Sequence, residues 1–379
     1  MSFLEKIAEK LEARERLDFA DGVRLLGEHD LPALGALANR VRERMHGDRT
    51  YFNVNMHLNA TNVCVADCKF CSFARLEEGM PGAYTMTVAE AIAKVASRPA
   101  ELTEVHIVNG LHPGLPFSYY EELLAGIKAL RPAIHLKAFT AVEIHWFAEH
   151  YGMTIDEVLR RLMAAGLGSL PGGGAEVFAE RVRNKICRDK VGADGWIAIH
   201  QAAHRLGLRS NCTLLYGHIE TLEERVDHLL RLRAAQDVTG GFQTFIPLAF
   251  HNENNALERL PGPTAVDDLK LFAVARLLLD NIPHVKAYWA MLGVKTAQTA
   301  LWFGADDLDG TVEEEKIYKM AGSRTPEALS RGELIRLIRA AGRTPVERDT
   351  LYHVVAEGDA LAASPERRRG RLEVLNEGA

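Results

Sequence analysis

Three of the chain's five cysteines fall within eight residues, in the run Asn59-Ala-Thr-Asn-Val-Cys64-Val-Ala-Asp-Cys68-Lys-Phe-Cys71-Ser-Phe. The C-x3-C-x2-C spacing puts three soft thiolate donors, suited to iron or zinc, on one loop. Cys64, Cys68 and Cys71 are therefore the candidate metal ligands. Three such thiolates can wrap three corners of a cubane cluster, which ordinarily takes four. No fourth cysteine lies nearby, so one iron would be open to a substrate. The alternatives are a zinc site completed by a histidine, or a redox cluster completed by Cys187 or Cys212. Zinc sites more often show paired C-x2-C units or histidines at fixed spacing. Cys212 sits in an apolar strand-like run, where buried free cysteine is common, and Cys187 in a charged stretch; both read as structural. An odd cysteine count in a long chain argues against a disulfide framework.

Other polar residues recur where strand-like runs end. His106-Ile-Val-Asn109-Gly110, Thr140-Ala-Val-Glu143-Ile-His145, Pro171-Gly172-Gly173-Gly174-Ala-Glu176 and Leu215-Tyr216-Gly217-His218 are the clearest. Glycine lets a backbone approach a ligand closely, which makes Gly110, Gly173, Gly174 and Gly217 candidate contacts. Asn109, Glu176 and Tyr216 stand beside them. Glu143, His145 and His218 are candidate acid–base or binding groups. Each motif alone also reads as an ordinary turn or helix start.

Positioning these groups at one rim takes repeated strand–helix units. Strands are expected at Asn53–Asn59, Glu104–Asn109, His135–Thr140, Ser169–Pro171, Arg209–Tyr216, Phe242–Phe250 and His284–Leu292, with a weak eighth at Leu301–Gly304. Between them, Thr87-x-x-Glu90, Ser118-x-x-Glu121, Thr154-x-x-Glu157 and Thr221-x-x-Glu224 read as capping boxes that start helices. The helix after Ser118 carries Tyr120, Leu123, Leu124, Ile127 and Leu130 on one face. Such alternation favours a parallel sheet with right-handed crossovers, an α/β fold with a full or partial TIM-like barrel. Chemistry in such folds sits at the C-terminal strand ends. Residues 1–50 read as an N-terminal helical extension broken near Pro32, and 51–325 as the barrel. Residues 326–379 read as a C-terminal helix and extension packing on it, with a frayed tail.

The 379 residues are 47% apolar and 25% charged, ordinary for a globular protein. With 45 basic and 51 acidic residues, a net −6, nucleic acid is not the expected partner. No apolar run approaches the roughly 18 residues that span a bilayer. The N-terminus carries acids and lacks a signal-peptide core. The expectation is a cytoplasmic protein acting on a small molecule, of oligomeric state not legible here.

The cysteine spacing after the first strand, with aromatic Phe70 beside the third cysteine, resembles the radical S-adenosylmethionine superfamily. Over about residues 50–355 the segments HIVNGLHP, KAFTAVEIHWF, SLPGGGAE, LYGHIET, FQTFIPLAFH, AYWAMLG, FGADDLDGT and PVERDTLY follow in order. They are similar to the aminofutalosine synthase family of menaquinone biosynthesis. Relatives such as the dehypoxanthinylfutalosine cyclase and the deazaflavin-chromophore enzymes share the PGGGAE-like and YGH-like segments.

The resemblance implies a 4Fe–4S cluster whose open iron binds S-adenosylmethionine, and a one-electron donor. The sulfonium is cleaved to a 5′-deoxyadenosyl radical, which adds to the enol ether of 3-((1-carboxyvinyl)oxy)benzoate. Aryl migration, loss of the carboxyl and one-electron oxidation then give 6-amino-6-deoxyfutalosine, with S-adenosylmethionine consumed as a co-substrate. It also implies that the Asn109-Gly110 turn meets the methionine amino group. The family's usual pattern there is two glycines and an acid, so only the backbone and Asn109 carry over. Glu176 would bind ribose hydroxyls or the amino group, and His218 the adenosyl moiety or substrate. Two substrate carboxylates call for donors: Lys137, Arg209, His218, His251 and Lys286 are candidates, with Tyr288 and Trp289 flanking the ring. The acidic run 304–310 lacks the spacing of an EF-hand. It reads as the loop after the last strand, with Asp306 or Asp309 organising the site. The other readings are a hydrogen-abstracting relative such as the cyclase, or a non-catalytic iron–sulfur protein.

Overall fold

The N-terminal helices start where their residues say they should. Ser2-x-x-Glu5 and Asp18-x-x-Asp21 box the starts of α1 (Phe3–Glu12) and α2 (Phe19–Leu26), and Asp30 caps α3 (Leu31–His46) with Pro32 in its first turn. The structure, a computed structural model, describes residues 2–361. The tail expected to fray lies mostly outside the described residues.

Seven strands form one parallel sheet in chain order: β2 (Asn55–Leu58), β3 (Glu104–Ile107), β4 (His135–Ala138), β5 (Leu167–Leu170), β6 (Arg209–Tyr216), β7 (Phe242–Ala249) and β8 (His284–Val285). Parallel neighbours need long crossovers, which helices supply. The helix Phe117–Leu130 buries Tyr120, Leu123, Leu124 and Ile127 against the sheet. It begins at Phe117 behind an extended Pro116 with no side-chain cap, so Ser118 lies inside the helix and the box expected there does not form. The boxes at Thr87, Thr154 and Thr221 do form.

A second sheet runs β11-β10-β1-β9, from β11 (Val354–Glu357), β10 (Thr344–Arg348), β1 (Arg49–Asn53) and β9 (Asp307–Gly310). Two backbone bonds make it a bridge across the curled sheet. Ala287 N donates to Asp307 O at 2.8 Å beside β8, and His57 N donates to Glu313 O at 2.7 Å beside β2. The segment 306–313 thus links both edges of the partial barrel. The strand expected at Leu301–Gly304 is a turn, and the expected loop Asp307–Gly310 is the strand. The second half of the run expected as one strand, Trp289–Leu292, is helical.

The lumen is polar, and strand alternation explains how. On β3, Val105 and Ile107 face the helices while Glu104 and His106 face inward. Glu104 Oε2 takes Lys137 Nζ at 2.8 Å and Thr350 Oγ1 at 2.7 Å, and Lys286 Nζ meets Asp309 Oδ1 at 3.2 Å. Arg348 Nε donates to Asp307 Oδ2 at 2.6 Å, and Tyr352 stacks on His284 at 3.6 Å. The C-terminal region therefore also crosses the N-terminal end of the barrel and floors it.

Candidate functional site

Beyond β2 the chain enters the loop that carries the cysteines, and backbone bonds pin it on both sides. Cys64 N donates to Arg75 O and Arg75 N to Asn62 O, both at 2.8 Å. The Arg75 guanidinium donates to the carbonyls of Ser72, Ala74 and Pro81 at 3.1, 2.9 and 3.0 Å. Val65 N reaches Leu111 O at 3.1 Å and Gly110 N reaches Thr61 O at 2.9 Å, tying the loop to the turn after β3. Lys69 N donates to Ile186 O at 2.8 Å from the opposite side. A Cβ on Gly110 would stand 2.2 Å from Val63 O. Gly110 is therefore required by the cysteine loop itself.

This loop walls a cavity of about 1110 Å³, counted out to its open mouth. Cys64, Cys68 and Cys71 line it with Asn109, Gly110, Glu143, Gly173, Gly174, Glu176, Lys190, His251 and Tyr318, above an apolar lining that includes Leu215, Leu248 and Phe250. These come from the C-terminal ends of different strands, the end the barrel rule names.

Asn109 Oδ1 accepts from Ala60 N at 2.7 Å, while its Nδ2 is buried without a partner among the described residues. Glu143 is the N3 residue of a capping box on the helix Ala141–Tyr151. Its oxygens take Thr140 N at 2.7 Å, Thr140 Oγ1 at 2.9 Å and Asn109 N at 2.9 Å. Burial pushes its carboxyl up to about 7. Oε1 is spent on the Asn109 turn and Oε2 on the helix cap at Thr140. A Cβ on Gly174, at φ +86°, would meet Val142 Cγ2 at 2.4 Å. Glu176 accepts from Lys190 Nζ at 2.6 Å, and the ammonium also lies 5.1 Å from the Phe70 ring centre. Burial works against the charge of Lys190, but Cys68 and Glu176 overrule it and hold the ammonium well above its ordinary value.

Of the remaining expected groups His251 is in the lining, and the others stand elsewhere. Arg209 begins β6 at the far end, exposed, with Nη1 on Gly240 O at 2.8 Å. Tyr216 Oη donates to Asp268 Oδ1 at 2.6 Å, outward from the sheet. Gly217, at φ +90°, packs on Pro263, which a Cβ would meet at 2.5 Å. His218 is turned back on Leu215 O at 3.1 Å and on Glu220 at 3.0 Å. His145 is on the helix Ala141–Tyr151 outside the lining. Lys137 and Tyr288 are in the lumen below the cavity, and His251 Nε2 is committed to Met291 O at 2.9 Å. Asp306 lies at the opposite end, held by Arg276 and by His284 Nδ1 at 2.5 Å. Asp309 pairs with Lys286 in the lumen. The sequence reading missed Lys190 and Tyr318. Neither sits in a motif, and only the fold carries Cys187-Arg-Asp-Lys190 back to the cysteine loop.

The donor set fits a cluster better than a single ion. Burial raises the Cys64 thiol and pushes Cys68 up to about 12, and metal coordination is what deprotonates such thiols. Cys187 and Cys212 are buried outside the lining. The lining histidine, His251, has its Nε2 engaged.

The parallel barrel and a three-cysteine loop at its C-terminal rim define a radical S-adenosylmethionine enzyme. Residues 58–232 match the model of the radical SAM superfamily, and residues 239–360 that of the CofH/MqnC C-terminal region. Aminodeoxyfutalosine synthase of Thermus thermophilus is 51% identical over 94% of this chain and 97% of its own. That of Streptomyces coelicolor is 49% identical over 93% and 94%. A 5-amino-6-(D-ribitylamino)uracil–L-tyrosine 4-hydroxyphenyl transferase of Methanopyrus kandleri is 42% identical over 87% and 91%. The chain belongs to the radical SAM family that these synthases and transferases share, whose cofactors are a 4Fe–4S cluster and S-adenosylmethionine. Among solved structures, methylornithine synthase (PylB) superposes with a TM-score of 0.69 at 19% identity, covering 91% of this chain and 97% of that one. The maturase HydG of Carboxydothermus hydrogenoformans gives 0.71 at 16%, covering 92% and 80%. Both show the fold alone. No helix among the described residues is long and apolar enough to cross a membrane.

Proposed function

We propose that this chain joins the 5′-deoxyadenosyl group of S-adenosylmethionine to 3-((1-carboxyvinyl)oxy)benzoate, giving 6-amino-6-deoxyfutalosine. The observation that carries the reading is identity near one half with two aminodeoxyfutalosine synthases over nearly the full length. The cavity supports it. A cluster held by Cys64, Cys68 and Cys71 supplies, when bound, the electron that cleaves the sulfonium.

The chain's own residues do the positioning. Glu143 Oε1 holds the Asn109 turn at the cavity wall, and the unpartnered Asn109 Nδ2 matches an acceptor on the methionine portion. Lys190 and Glu176 set a fixed charge pair beside Cys68, one partner for a carboxylate and one for an amino or hydroxyl group. Leu215, Leu248 and Phe250 keep water from the reacting carbon. The new carbon–carbon bond forms at the terminal vinyl carbon, the aryl group shifts to the neighbouring carbon, the carboxyl leaves and one electron returns to an acceptor.

The test incubates anaerobically reconstituted protein with dithionite, S-adenosylmethionine and the enolpyruvyl benzoate, and follows products by mass. An adenosylated, decarboxylated product is expected, with methionine released. Release of 5′-deoxyadenosine alone would overturn the reading in favour of a hydrogen-abstracting relative. Zinc in place of iron and sulfide would overturn the enzyme reading altogether.

A further inference from the structure

Below the cavity the lumen holds a layer of rings, His106, His57 and Tyr288. Val108 lines the cavity, and His106, two residues back, faces the same way by strand alternation. His106 is the one residue of β3 that is not fully buried, although its strand is covered on both sides. His57 is its register partner on β2, with the two rings 4.6 Å apart. Tyr288, just after β8, lies parallel to His57 at 6.1 Å and packs at 5.6 Å on Tyr318, which lines the cavity.

This layer holds polar atoms with nothing to bind. His57 Nε2 and Tyr288 Oη are both buried without a hydrogen-bond partner among the described residues. Buried polar atoms are nearly always satisfied, so exceptions call for a reason. The neighbouring ammonium groups cannot serve, because Lys137 is spent on Glu104 and Lys286 on Asp309. Burial keeps His57 neutral, with its pKa lowered to about 4, so one ring nitrogen carries a hydrogen. With that hydrogen on Nε2, both His57 and Tyr288 can donate to an acceptor.

Taking the substrate proposed above, on which this step rests, its shape decides its orientation. The vinyl carbon must reach the cysteine end of the cavity. The ring carboxylate is at the far end of the molecule and points down the lumen. We propose that His57 Nε2 and Tyr288 Oη bind the ring carboxylate of the substrate in the lumen below the cavity, with Tyr318 above them.

The test uses reconstituted holoenzyme as wild type, His57→Phe and Tyr288→Phe, each matched for iron, sulfide and S-adenosylmethionine binding. Both substitutions keep a ring in place, and Tyr288→Phe removes a single oxygen. KM for 3-((1-carboxyvinyl)oxy)benzoate should rise at least tenfold in each, with kcat changed less. With the analogue that lacks the ring carboxylate, wild type should lose a similar factor and the variants nothing further. Unchanged KM in either cluster-loaded variant would overturn the assignment. So would an equal loss on the analogue, which would make the effect one of general packing. If wild type itself makes no adenosylated product, the functional reading fails first, and that result is distinct from a wild type that works beside variants that work equally well. Should His57→Phe fail to load a cluster, Tyr288→Phe alone decides.

Discussion

Replacing Lys137 by Met removes the cation from a buried pair and leaves its carboxylate behind. Glu104 is 1% exposed and Lys137 2%. Lys137 and Lys286 hold the Glu104 carboxyl well below its ordinary range even though burial works against ionisation. After the change, Glu104 Oε2 keeps two neutral donors, Thr350 Oγ1 at 2.7 Å and Asn53 Nδ2 at 3.3 Å. Breaking a buried pair from one side costs about 3–5 kcal/mol. The two remaining donors and the field of Lys286 place this case near the low end, about 3 kcal/mol. In the double variant Lys137→Met/Glu104→Gln no charge is stranded, and the amide oxygen still accepts from Thr350. At least ~2 kcal/mol should return as coupling between the two changes. Urea unfolding of wild type, both single variants and the double variant measures it. The double variant should also bind the enolpyruvyl benzoate like wild type, because Lys137 is committed to the scaffold. A cost below about 1 kcal/mol for Lys137→Met, or strict additivity, would refute the pairing argument. A large loss of substrate affinity in the stable double variant would return Lys137 to the substrate.

Arg209→Ala should leave KM and kcat unchanged and stability within about 0.5 kcal/mol, since the side chain is exposed at the far end of the barrel; a tenfold rise in KM would contradict that placement. Gly110→Ala forces a methyl group into Val63 O, so the variant should fold with reduced iron and sulfide content, read by chemical analysis and by the visible spectrum; full loading would contradict the close approach. Asp268 is raised from 3.8 to about 6, chiefly by burial, with Tyr216 Oη on its carboxylate. The folded chain therefore holds this proton to higher pH than the unfolded one. Its contribution to stability is fully present below about pH 4, is lost as pH rises to about 6, and is level above that. The full change is about 3 kcal/mol, and Asp268→Asn should remove it from the urea midpoint measured across that window.

The cysteine loop and the strand–helix alternation were legible because each depends on local chemistry. Three thiols at C-x3-C-x2-C on one loop call for a metal. Threonine or serine three residues before glutamate caps a helix wherever tertiary packing permits, as Thr87, Thr154 and Thr221 do. The same logic fails at Ser118, where Pro116 starts the helix earlier. It was left unused at Thr140, whose box turns Glu143 from a candidate catalytic acid into a support for Asn109.

The acidic run 304–310 is the sharper case. By itself it reads as the loop after the last strand, closing the barrel near the substrate, because three aspartates have no local reason to form a core strand. In the folded chain Arg276 and His284 answer Asp306, Arg348 answers Asp307, and Lys286 answers Asp309. Asn55 Nδ2, from the other end of the chain, also donates to Asp309 at 3.2 Å, so the strand that bridges the barrel is invisible until the chain has closed. Lys190, His57 and Tyr288 gain meaning in the same way. What the sequence by itself determined was the metal-binding loop, the class of fold and the end of the barrel where chemistry occurs, because these follow from spacing and periodicity along the chain. Only the tertiary structure decided which polar side chains are spent on one another and which keep an atom for a ligand, because a hydrogen bond is settled by distance in space.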